Sequence, residues 1–98
     1  MSTKKMKNIR GRIDEVDTRL LYLFNQRAEL VLEMARAKVS EGRKLYDPKR
    51  ERDIFVRITE KNPGPLAPEA IVRLFERIID ESRRLERTEV YDKAPKKS

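Results

Sequence analysis

One uninterrupted helical pattern dominates the first forty residues. Ile9, Ile13, Val16, Leu20, Leu23, Leu30 and Met34 recur at the spacing of a single helix face. A stripe of this period marks an amphipathic helix laid against a core. From about 5 to 40 there is no proline, and the one glycine, Gly11, lies near the start. The pattern therefore predicts one helix of roughly 50 Å. Two cations sit on its apolar side. Arg27 fills the slot between Leu23 and Leu30, and Lys38 lies on the turn after Met34. Their spacing places them within about 20° of each other around the helix. A cation on a core-facing stripe is costly unless an anion or a carboxylate meets it. The stripe thus points to an anion held between helices.

The remaining chain reads as two shorter helices. Gly42 is a plausible stop for the first, with Arg43 and Lys44 beside its negative end. Asp47-Pro48 is a strong start signal, since aspartate caps and proline suits the first turn. That second helix is expected to run to about residue 61, with Ile54, Phe55 and Ile58 inward. Asn62-Pro63-Gly64-Pro65 breaks the pattern, and Pro68 opens a third helix to about residue 90. Its inward side carries Ile71, Leu74, Phe75, Ile78, Ile79 and Leu85. No strand pattern or internal repeat is present. The fold class expected is all-α, three helices with a long first one.

Length adds a constraint. The second and third helices would be roughly 22 Å and roughly 35 Å long. Folded back along half of the first helix, they would leave its other half bare. An exposed apolar strip of that size calls for a partner. The economical arrangement is an intertwined two-fold homodimer in which each long helix crosses both halves.

Composition narrows the chemistry. The 98 residues suit one small domain. There is no cysteine and no histidine. Disulfides, thiolate or imidazole metal sites, and Cys or His catalysis are therefore excluded. No metal site is expected. No stretch has the length and apolarity of a membrane span, and the lysines at the start are not followed by the apolar run of a secretory signal. A cytoplasmic location, with no membrane partner, is the default. The net charge is +7. Residues 1–8 and 92–98, read as flexible basic ends around a helical domain at 9–91, hold six lysines and one aspartate. Without them 18 basic residues face 16 acidic ones. The body is nearly balanced, which argues against nucleic acid as a partner.

Further polar residues adjoin the apolar faces. Asp47, Arg50, Glu51, Ile54 and Ile58 share one side of the second helix. Ser82 interrupts the third helix's stripe, and Glu86 lies one turn beyond it. Each also has a plainer reading. Arg27 suits an edge position with its stem packed and its head in water. Lys38 suits pairing with a helix end. Arg50 and Glu51 belong to a charge run of the kind that is usually solvated. Ser82 suits close helix packing, and Glu86 a salt bridge to Arg83 or Arg87.

Taken in order, these segments resemble the all-helical chorismate mutases. The resemblance covers residues 9 to 87. It rests on Ile9-Arg10-Gly11-Arg12-Ile13-Asp14-Glu15-Val16-Asp17, Gln26-Arg27-Ala28-Glu29-Leu30, Ala35-Arg36-Ala37-Lys38, Asp47-Pro48-Lys49-Arg50-Glu51-Arg52 and Ile78-Ile79-Asp80-Glu81-Ser82. Each piece is weak alone; their order and spacing are specific. The resemblance implies rearrangement of chorismate, a dianion, to prephenate within phenylalanine and tyrosine biosynthesis. That shift is pericyclic and calls for no nucleophile, metal or cofactor. Catalysis then comes from holding the compact conformer and stabilising charge at the breaking ether bond.

The resemblance also implies roles. Arg10 would reach a carboxylate across the dimer interface, and Arg27 would bind one from within the pocket. Lys38 would contact the ether oxygen and a carboxylate. Glu51, with the Asp47 backbone, would hold the ring hydroxyl, while Arg50 orients the site and Ser82 touches the ring carboxylate. One position departs from the pattern: Glu86 stands where some members carry glutamine. An ionised carboxylate cannot donate to an ether oxygen, but its neutral acid can. Burial favours the neutral form, and the neighbouring cations oppose it. Glu86 is therefore expected to act as the neutral acid, with turnover favoured at lower pH.

Three other functions compete. One is elimination of pyruvate from isochorismate on the same scaffold, because function lives in site detail rather than in fold. Another is a non-catalytic helical binding module, which would need its cations on an exposed face. The last is a mutase that depends on docking to another shikimate-pathway enzyme.

Overall fold

The structure is a computed structural model that describes residues 3–93. Of the ends expected to be flexible, 1–8 and 92–98, residues 1–2 and 94–98 lie outside the described residues, and residues 4–8 belong to α1. Three helices follow one another: α1 Lys4–Ser40, α2 Pro48–Lys61 and α3 Pro68–Glu86, the last continued by a wider turn at Arg87–Tyr91. No strand occurs among the described residues. No helix among them is long and apolar enough to cross a membrane. The chain divides into two units after Leu30.

The first unit holds the N-terminal part of α1. Thr3 caps the helix, its Oγ1 accepting from the Met6 amide at 3.1 Å and its carbonyl from the Lys7 amide at 3.0 Å. Ile9, Ile13, Val16, Leu20 and Leu23 are all exposed in this unit. A single helix has nothing of its own to bury a stripe against, and the core-facing role expected of these residues is unmet within it. Asp14–Asn25 carries polar groups that bond back to the helix: Thr18 Oγ1 donates to the Asp14 carbonyl and Asn25 Nδ2 to the Leu21 carbonyl.

The second unit begins at Val31 and holds the end of α1, both shorter helices and the terminal turn. Its buried apolar residues are Ala35, Ile54, Ile79 and Val90. Helix α2 packs on α3, and α3 on the terminal turn. Phe55, Ile58, Ile71, Phe75, Ile78 and Leu85 are half-buried, as their spacing predicts. Leu74 is exposed instead, because a single neighbouring helix covers only part of the α3 surface.

Local chemistry sets each boundary. Gly42, at φ 71°, ends α1. Its amide donates to the Val39 carbonyl at 3.1 Å, and the Arg43 amide donates to the Lys38 carbonyl at 2.7 Å. This is the glycine-terminated hydrogen-bond pair of a Schellman stop. Asp47 caps α2, with Oδ1 accepting from the Arg50 amide at 3.0 Å and Pro48 in the first turn. In the breaker, Asn62 Oδ1 accepts from the Gly64 amide at 3.1 Å, and its Nδ2 donates to the Leu66 carbonyl at 2.8 Å. Ordinary α-helical winding stops at Glu86, four residues before the expected end. Beyond it the Asp92 amide donates to the Arg87 carbonyl at 2.8 Å, spanning five residues. The β-branched Thr88 and Val90 fall in this wider turn; such side chains crowd the preceding turn of a regular helix.

No neighbouring atom would obstruct a methyl group at Gly42. Gly42→Ala should therefore cost conformational strain alone, about 1 kcal/mol. Urea unfolding should show a lower midpoint with an unchanged slope.

Candidate active site

The residues expected to form the site fall in both units. Arg10 and Arg27 belong to the first, Arg10 exposed and Arg27 half-buried. Their positions follow from the α1 period, which places Arg10 beside Ile9 and Arg27 between Leu23 and Leu30.

The second unit gathers the others around the α1–α2 junction and the α2–α3 contact. Lys38 lies in the last turn of α1, its side chain 22% exposed, with Nζ 3.8 Å from Asp47 Oδ2. The Gly42 stop turns the chain so that Asp47, nine residues later in sequence, meets it. Asp47 therefore does two things: one carboxylate oxygen caps α2 and the other faces the Lys38 ammonium. Arg50 takes part through its backbone amide, and its side chain is exposed. Ser82 is half-buried, its Oγ donating to the Ile78 carbonyl at 2.9 Å, and Glu86 is half-buried one turn further on.

Glu51 meets a residue that sequence reasoning did not place with it. Arg83 of α3 grips both of its carboxylate oxygens. Nε donates to Oε2 at 3.0 Å, and a terminal guanidinium nitrogen donates to Oε1. The other terminal nitrogen donates to Asp80 Oδ1 at 3.2 Å. The guanidinium carbon lies 5.9 Å from the centroid of the Tyr46 ring. The hydrogen bonds to Glu51 raise the Arg83 pKa above its ordinary value, so the group stays cationic at any working pH. The sequence alone suggests Arg83 only as a partner for Glu86. A usable signal was present: Arg83 lies four residues after the buried Ile79, and Glu51 four before Phe55. Both therefore lie on the faces through which α2 and α3 meet.

A cleft of about 250 Å³ opens between these two helices, lined by Glu51, Phe55, Glu76, Ile79, Asp80 and Arg83. Its wall holds three carboxylates and one guanidinium, a balance that does not suit a dianion. The cations expected from the sequence to meet an anion are Arg10, Arg27 and Lys38, on α1. Guanidinium groups match planar carboxylates with two parallel hydrogen bonds, and an ammonium offers three mobile donors.

Comparison with known proteins places this three-helix chain in a family. The family model described as chorismate mutase type II matches residues 9–87. The chorismate mutase of Methanocaldococcus jannaschii is 31% identical over 85 residues, covering 86% of each chain. The bifunctional chorismate mutase/prephenate dehydratase of Stutzerimonas stutzeri is 38% identical over 87 residues, 84% of this chain. The chain spans only about 24% of that bifunctional protein's length. The structure of chorismate mutase (form II) from Thermus thermophilus superposes with a TM-score of 0.85 at 35% identity, covering 88% of this chain and 98% of that one. The chain belongs to the chorismate mutase type II family, a family of isomerases.

Asp47 supplies a stability test of the junction. Asp47→Ala should cost about 1 kcal/mol through the lost cap. Asp47→Asn keeps a capping oxygen and should stay within about 0.5 kcal/mol of the parent, because a part-exposed ion pair contributes little. Denaturant midpoints of the two variants measure this directly.

Proposed function

We propose that this chain catalyses the rearrangement of chorismate to prephenate. The observation that carries the reading is the placement of Arg27 and Lys38 on the apolar side of a long helix, within a chain of the chorismate mutase type II family. In the reaction the ether C–O bond breaks as a C–C bond forms, and no group leaves. The protein's contribution is then to hold both carboxylates of the substrate so that the reacting carbons meet, and to stabilise negative charge on the ether oxygen. Arg10 and Arg27 bind the carboxylates. Lys38 donates to the ether oxygen and to a carboxylate. Glu51 accepts from the ring hydroxyl, the Asp47 backbone adjoins it, Arg50 orients the site and Ser82 contacts the ring carboxylate.

The working unit in this reading is a homodimer. The exposed residues Ile9, Ile13, Val16, Leu20 and Leu23 form one apolar face of α1, and a second copy of the same face is its simplest cover. Arg10 neighbours that face in sequence and is exposed, which suits a residue reaching into the site of the other protomer.

Glu86 donates to the ether oxygen as its neutral acid. The rate should therefore fall as rising pH ionises Glu86. A glutamine donates at every pH, so Glu86→Gln should flatten the pH–rate profile. A profile of the same shape in the variant would contradict this role.

The reading as a whole is tested by incubating purified protein with chorismate and with isochorismate and identifying the products. Prephenate from chorismate is expected. Salicylate and pyruvate from isochorismate, with chorismate untouched, would favour the lyase. Arg27→Ala should lower kcat/KM by about a hundredfold or more while circular dichroism and sedimentation show an unchanged folded dimer.

A further inference from the structure

We propose that Arg83 is a positioning residue for Glu51, holding its carboxylate in the orientation that accepts the substrate's ring hydroxyl. This rests on the substrate-binding role given to Glu51 above.

The geometry is that of an anchored fork. Arg83 faces Glu51 with two nitrogens, Nε at 3.0 Å from Oε2 and a terminal nitrogen against Oε1. A carboxylate has about four lone-pair sites, and a guanidinium fork takes one on each oxygen. The remaining sites stay free to accept from a ligand. Arg83 thus aims Glu51 without using up its acceptor capacity.

Two further contacts hold the fork itself. Asp80, one turn earlier on α3, accepts from the remaining terminal nitrogen at 3.2 Å. The Tyr46 ring lies 5.9 Å from the guanidinium carbon, within cation–π range. Tyr46 immediately precedes the α2 cap, Asp47, which also faces Lys38. One cation therefore ties α3 to α2 and to the segment that enters α2. A free glutamate on a helix surface samples many rotamers, and this arrangement selects one. Lysine could not replace it fully, because a single ammonium cannot form the paired planar contact.

A four-corner kinetic cycle tests the proposal: the parent chain, Arg83→Ala, Glu51→Ala and the double variant, each assayed for kcat and KM with chorismate. Arg83→Ala should lower kcat/KM about tenfold with Glu51 present, the pair being half exposed, and by less than about twofold once Glu51 is alanine. Arg83→Lys should fall between the parent and Arg83→Ala. Should Arg83→Ala fail to fold, Arg83→Gln and Arg83→Lys complete the same cycle. Equal losses in both backgrounds would show a merely structural role and overturn the proposal. Unchanged or increased activity in Arg83→Ala would overturn it too. If Glu51→Ala alone leaves kcat/KM at the parent value, it is the role of Glu51 that fails, and the proposal with it.

Discussion

A charge placed among apolar side chains must be met by an opposite charge, and the account of this protein depends on that constraint. Helix α1 carries Arg27 and Lys38 on the side where its period calls for leucine or isoleucine. Hydrophobic residues at both positions would favour burial more cheaply, since isolated charges lose several kcal/mol of hydration when withdrawn from water. In the proposed reading the substrate is an anion that both cations meet, in addition to the Asp47 carboxylate that faces Lys38. A dianion needs two such groups, and a reaction that shifts charge onto an ether oxygen needs a donor aimed there.

The α1–α2 junction turns that constraint into geometry. Gly42 ends α1 in a conformation that residues with a side chain rarely adopt, and Asp47 starts α2 a few residues on. Between them the chain reverses closely enough that Asp47 reaches back to Lys38. The capping carboxylate faces the lysine's ammonium at the last turn of α1. One turn further along α2, Arg83 gathers Glu51, Asp80 and Tyr46. Lys38 and Glu51, whose proposed targets are the ether oxygen and the ring hydroxyl, are thus each held by a residue of opposite charge from another segment.

Features governed by local backbone chemistry were legible in the sequence. Gly42, Asp47-Pro48, Asn62-Pro63-Gly64-Pro65 and Pro68 mark helix ends through φ preference, missing donors and side-chain caps, none of which depends on distant contacts. The length of α1 was legible for the same reason, since no proline falls between residues 5 and 40. Two features were not. The Arg83–Glu51 pair joins residues 32 positions apart, and its existence depends on how α2 and α3 register against each other. Spacing along one helix offers several partners for an arginine and cannot choose among them. The widened turn after Glu86 was missed because the apolar period carries on to Val90 whether the backbone is wound tightly or loosely. The order and spacing of the family segments carried the enzymatic reading further than any one of these residues could.

The central claim is that cations on α1 grip a compact dicarboxylate. Calorimetric titration with a rigid, unreactive bicyclic dicarboxylate shaped like the compact conformer of chorismate tests it without turnover. The account predicts tight binding to the parent chain and to Lys4→Ala, and a loss of about a hundredfold or more in both Arg27→Ala and Lys38→Ala. Equal affinity in all four proteins would contradict it.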